Sequence, residues 1–211
     1  ARILIREREQ ENIMMPGILR NKYFFCILIS VVFIAGCAGT DGNTKLSLSR
    51  NLSLLHKDYK VAVLNFNHKY SHRKSDIGEV ETPINAGEIV SKYIENELID
   101  SRKFYIIDRE NLAKVMEEHK LNLTGLTEGI STIGSLLNAD GILVGEVIEF
   151  NTIKEIMNLK STCIFTMKLI DVKSGAVIFT FNAEERVFLG TYTDALKKAA
   201  EKFRDELNKV F

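Results

Sequence analysis

The chain has 211 residues but no tryptophan, only two prolines and three cysteines, and no net charge, with 28 basic residues against 28 acidic ones. Each shortage excludes something. Balanced charge removes the strong basic field that a nucleic-acid-binding domain presents. Little proline and no low-complexity tract leave nothing to assign to rigid spacers or proline-rich ligands. Three cysteines are too few for the disulfide framework that holds small secreted domains together. No Walker loop, dinucleotide fingerprint, HExxH, CxxC or nucleophile elbow occurs, so the usual sequence marks of nucleotide, zinc-protease and serine-hydrolase chemistry are missing. The longest apolar run, Tyr23 to Ile34, has about a dozen residues, whereas a bilayer-spanning helix takes roughly 20.

What is present suits one globular domain with short appendages: 45 % of the residues are hydrophobic and 27 % charged. From Met15 the chain reads MPGILRNKYFFCILISVVFIAGC. Arg20 and Lys22 make a positive start, the apolar run follows, and Ala35-Gly36 is a small-residue step before Cys37. That is the order of a secretory signal. A permanent membrane anchor competes with this reading but the run is short for one, and a buried core helix would need polar residues on one face, whereas only Ser30 interrupts the apolar run. Residues 1–14, charged and without an initiating methionine, read as an upstream extension.

The tetrapeptide Ile34-Ala35-Gly36-Cys37 resembles the bacterial lipobox. The resemblance implies that residues 15–36 are removed and that Cys37 is acylated as the first mature residue, with Ala38 after it favouring the outer membrane. Several acyl chains anchor a protein stably where one is marginal. Loss of residues 1–37 takes away 5 basic and 3 acidic residues and leaves 23 against 25. Cys26 goes with the signal and Cys163 stays alone, so no intramolecular disulfide is expected. Cys163 lies in an alternating apolar stretch and reads as a small core residue.

Residues 38–58 are polar at first and then leucine-bearing, and are expected to be a tether with a random-coil reach of roughly 25 Å. The domain is expected over 59–211. KVAVLNF (60–66) suits a strand buried on both faces. A loop over 67–83 precedes a helix carrying Ile89, Val90, Tyr93, Ile94, Leu98 and Ile99. FYII (104–107) is strand-like, and Asp108 is placed to cap a helix bearing Leu112, Val115, Met116 and His119. A short helix from about Ser131 follows, then a strand over 140–150. Two further strands, 164–172 and 176–187, flank a Lys173-Ser174-Gly175 turn and should pair antiparallel. Last comes a helix capped by Thr193 or Asp194, with Leu196, Ala200, Phe203, Leu207 and Val210 on one stripe. The expected fold is α/β: a mixed sheet of about five strands packed with three to four helices.

Chemistry is sparse. His68 and His72 have metal-ligand spacing if helical, but their segment is turn-like and no third ligand is fixed by spacing, so a solvated basic loop is favoured and no metal is expected. Gly125, Gly129 and Gly134 are too far apart to cradle a phosphate. Glu117-Glu118 and Glu184-Glu185 are sequence neighbours that point apart and make no carboxylate dyad. His119 ends an apolar face and reads as a packing residue. No catalytic residue, cofactor or enzymatic activity is expected.

VAVLNF (61–66), NELIDSRKFYIIDRENLAKVMEEHKL (96–121), LLNADGILVGEVIEF (136–150) and LIDVKSGAVI (169–178) resemble, in order and spacing, the CsgG family of bacterial lipoproteins, which includes the curli secretion channel component. The resemblance covers roughly residues 60–190. It implies an envelope protein without a catalytic centre, in which Arg109 and Glu110 at a helix start and Asp171 and Gly175 at a hairpin are structural. It also implies a periplasm-facing, outer-membrane accessory in assembly or export, with envelope proteins as partners and a homo-oligomeric ring as the working form. Spanning strands need about 9–11 alternating residues each, and NTIKEIMNLKST (151–162) is too short for such a hairpin with its turn. KLNLTG, IGSLLNADGILVGEV and MKLIDVKSGAVIFTF also resemble LpoB-type lipoproteins, which implies the alternative of a penicillin-binding-protein activator in cell-wall synthesis.

Overall fold

The computed structural model describes residues 40–56, 58–68, 78–108, 114, 117, 127–156 and 158–211. Strands β1 (Thr40–Leu48), β2 (Lys60–Val63), β3 (Asn67–His68), β4 (Glu79–Glu81), β5 (Tyr105–Ile106), β6 (Gly141–Lys154), β7 (Leu159–Asp171) and β8 (Val177–Phe188) form one sheet. Its order is β1-β8-β7-β6-β2-β5, with β3 and β4 pairing farther along β6. The β2–β5, β2–β6 and β3–β6 pairs are parallel and the others antiparallel. The helices are α1 (Ala86–Ser101), α2 (Thr127–Leu136) and α3 (Tyr192–Val210). The fold is thus the expected mixed α/β sheet, with eight strands where about five were expected.

Alternation decides the faces. Cys163, Phe165, Met167 and Leu169 of β7 and Phe179, Phe181, Ala183 and Val187 of β8 are buried in one cluster with Val90, Ile94 and Leu98 of α1 and Leu196, Phe203 and Leu207 of α3. Phe203 sits among the aromatics, 5.0 Å from the Phe181 ring centre and 6.0 Å from that of Phe179. Between them Lys168 and Asn182 turn to water. β2 is buried on both faces as its composition required: Val61 and Val63 join the large cluster, while Ala62 and Leu64 meet Ile133, Ala139, Ile142 and Val172 on the other side. Ile99, expected on the apolar face of α1, is half-exposed.

Two expectations change. The tether over 38–58 contains a nine-residue edge strand: Thr40 to Leu48 pair in continuous register with Val187 to Phe179. Leu46 packs on the large core, so the KLSLS alternation is that of a strand with one face down. The first residues of the folded domain are therefore among those expected to be tether. The cap of α3 is Thr191, not Thr193 or Asp194. Asp194, three residues on, accepts from the Thr191 N–H at 2.7 Å and from its hydroxyl at 2.9 Å. Those bonds, the backbone one first, hold the Asp194 carboxyl below the usual aspartate value. Asp194→Ala is expected to lower unfolding stability by about 1 kcal/mol, read from the midpoint of a urea melt at unchanged slope.

Of the helix expected after Asp108 only Lys114 and Glu117 are described, both helical, while its apolar residues and His119 lie outside the described residues, as do Arg109, Glu110, His72 and Cys37. Among the described residues, no helix is long and apolar enough to cross a membrane.

Candidate functional site

Among the described residues, β1 is bonded to β8 along one side only, so its other side offers a row of backbone donors and acceptors, the usual template for joining another chain. The opposite edge is the two-residue β5.

Glu185 of β8 lies under β1. It is fully buried, opposite Gly42 on one side and Cys163 on the other. Its Oε1 meets Lys202 Nζ of α3 at 2.5 Å, and its Oε2 has no hydrogen-bond partner among the described residues. A Cβ at Gly42 would collide with that carboxylate, so a side chain there would force the Glu185 carboxylate to shift. The Glu184-Glu185 pair therefore points apart, as expected: Glu184 pairs with Arg186 on the other face. Burial, and then the charge of Glu185, push the Cys163 thiol far up, which makes it inert and fits its core reading.

At one end of the sheet Tyr59 ties three strands together. Its hydroxyl is 3.0 Å from both Asp171 Oδ2 and the Asp140 carbonyl, and Asp140 Oδ2 accepts from the Lys60 N–H at 3.0 Å. Asp171 Oδ1 accepts from the Ser174 N–H at 2.7 Å and from its hydroxyl at 2.6 Å, closing the β7–β8 turn in which Gly175 has φ +68. The Tyr59 hydroxyl is pushed well above its ordinary value by burial, by its bond to Asp171 and by the nearby carboxylate charges. Asp171 and Gly175 thus hold the turn, and Tyr59 ties it to the ends of the neighbouring strands.

The other end differs. There β6 and β7 are joined by only four residues, 155–158, and Ile156, Phe188 and Leu189 are exposed. His68, in β3 opposite Val147, is half-buried, and that burial lowers its pKa. Among the described residues no three histidines, cysteines or acids gather to hold a metal.

A sequence model described as "Curli production assembly/transport component CsgG" matches residues 43–157, from within β1 to the β6–β7 turn, more than half of the chain. The chain belongs to the CsgG family. No curated protein sequence matches it significantly. Among solved structures, this CsgG-family domain aligns with a PelC dodecamer from Paraburkholderia phytofirmans at 19 % identity and TM-score 0.52, over 77 % of this chain and 94 % of that one. It aligns with lipoprotein GNA1162 from Neisseria meningitidis at 11 % identity and TM-score 0.52, over 72 % and 99 %. The LpoB C-terminal domain from Escherichia coli aligns more loosely, at 15 % identity and TM-score 0.41, over 59 % and 81 %.

Sequence reading missed the Glu185–Lys202 pair and the Tyr59 clamp. Glu185 did carry a signal, a charged residue at an inward position of an apolar alternation. The clamp carried none, because its members are 81 and 112 residues apart.

Proposed function

We propose that this CsgG-family chain is a non-enzymatic lipoprotein, anchored to the outer membrane by acyl chains on Cys37 and facing the periplasm. It serves as an accessory in assembly or export of envelope or surface components, through protein contacts and as a ring. The observation that carries the reading is the family match combined with the four-residue β6–β7 connection, which has no room for membrane-spanning strands of about 9–11 residues. The open β1 edge supplies a surface for subunit contact, and the PelC structure is a dodecamer. The alternative, activation of a cell-wall synthase, needs reach, and Thr40 is only three residues beyond Cys37.

Two measurements test this. Wild-type protein should fractionate with the outer membrane and Cys37→Ser with the soluble periplasm; an unchanged distribution would remove the lipid anchor. Light scattering on detergent-extracted lipidated protein should give a multiple of the protomer mass, and a strict monomer at all concentrations would overturn the ring. Recovery of a murein synthase in pull-downs from envelope extract would favour the alternative.

A further inference from the structure

The strand register gathers five chain segments at one end of the sheet. Thr40 opens β1 opposite Val187, Leu159 opens β7 opposite Lys154 at the end of β6, and Glu79 of β4 faces the same Lys154. The Leu189 N–H closes the group on the Leu159 carbonyl at 2.8 Å. Three large apolar side chains stand out from this rim: Ile156 is 103 % exposed, Leu189 75 % and Phe188 43 %. Leu189 has φ +60, a left-handed conformation that bulky residues rarely adopt and that is costly to hold. An exposed leucine on a strained backbone brings nothing to the core. The rim's charges are mixed, with Lys154 bonded to Glu81 at 2.9 Å and Lys160, Glu79 and Glu155 nearby in register, so what it offers a partner is apolar contact.

We propose that this rim is a membrane seat, in which Ile156, Leu189 and Phe188 rest in the interfacial layer of the leaflet that holds the Cys37 acyl chains. The inference rests on the lipidation proposed above. Two residues, Ala38 and Gly39, separate Cys37 from Thr40, a reach of at most about 10 Å, so an acylated Cys37 holds the rim against the lipid with no space for a protein layer between them. Acyl chains supply the attachment, and the rim supplies orientation. Lys60 and Tyr105, paired at the far end of β2 and β5, then point away from the membrane with the Tyr59–Asp171 clamp.

Because the chain has no tryptophan, a single one reports without background. Full-length lipidated Ile156→Trp and Tyr105→Trp proteins, both altered at exposed positions, are reconstituted into phosphatidylethanolamine/phosphatidylglycerol vesicles containing lipids brominated high on the acyl chain. The probe at 156 should shift to shorter wavelength and lose more than half of its emission to the bromines, while the probe at 105 stays water-like and unquenched. With the protein still floating on the vesicles, an unquenched probe at 156 would overturn the seat, as would equal quenching at both positions. Protection of the 156 probe from aqueous iodide without bromine quenching would place a protein surface there and also overturn it. Failure to float, with no lipid mass on Cys37, would overturn the anchoring reading and the seat with it.

Discussion

Lys202→Met is expected to cost about 2 to 3 kcal/mol of unfolding stability, because it strands a buried carboxylate. Glu185 is fully enclosed between β1 and α3, and the ammonium of Lys202 is the cation that meets it. Removing one member of a buried pair costs roughly 3–5 kcal/mol; the lower figure applies because the Lys202 side chain is 44 % exposed and water screens it. The double variant Glu185→Gln with Lys202→Met should recover most of that loss, since a neutral amide needs no counter-charge. The readout is a double-mutant cycle of chemical unfolding that includes Glu185→Gln alone. If the double variant loses the sum of the two single losses, the pair has no coupling and the account fails. Gly42→Val should disturb the same place from above, by pressing a side chain onto the carboxylate, and should expose the β1 backbone amides to hydrogen exchange while the β6–β7 ladder stays protected.

Asp171→Ala is expected to cost about 3 kcal/mol and to flatten the acid limb of the stability curve. Burial pushes the Asp171 carboxyl up, but the Ser174 hydroxyl and N–H, the Tyr59 hydroxyl and the Lys173 charge together outweigh it and hold the group below the ordinary aspartate value. A carboxyl depressed in the folded state contributes stability that is fully present above its unfolded value, about 3.9, and is lost as pH falls through the lower folded value. Wild-type protein should therefore lose stability below about pH 4 more steeply than Asp171→Ala. The alanine variant also leaves the Tyr59 hydroxyl with only the Asp140 carbonyl and opens the Ser174 turn. Parallel acid limbs for the two proteins would show that Asp171 takes no part in the pH dependence.

Both effects come from residues that one strand's sequence cannot reveal as partners. The inward position of Glu185 is readable from the alternation of β8, yet its lysine lies on a helix 17 residues later and its glycine lid on an edge strand 143 positions earlier. The edge strand itself was legible in KLSLS, but the polar start of residues 38–58 outweighed two leucines. A strand that pairs on one side and buries one face needs only a weak pattern. The cap of α3 was misplaced by two or three residues because Thr191, Thr193 and Asp194 all have capping side chains. Only the carboxylate's bonds to Thr191 decide among them.

The sequence by itself determined the class of protein: the α/β alternation, the β7–β8 hairpin with its glycine turn, the stripe of α3 and the family. These depend on periodicity, turn residues and segment order, all local along the chain. The tertiary structure alone decided that the leader to the domain is part of the sheet and that a buried ion pair underlies it. It also decided which end of the sheet carries Thr40 and which exposed apolar residues gather there. Such facts come from register and from strand order, in which β1 pairs with β8 across nearly the whole chain. No window of sequence encodes contacts at that separation, because their free energy belongs to the packed sheet and not to any segment within it.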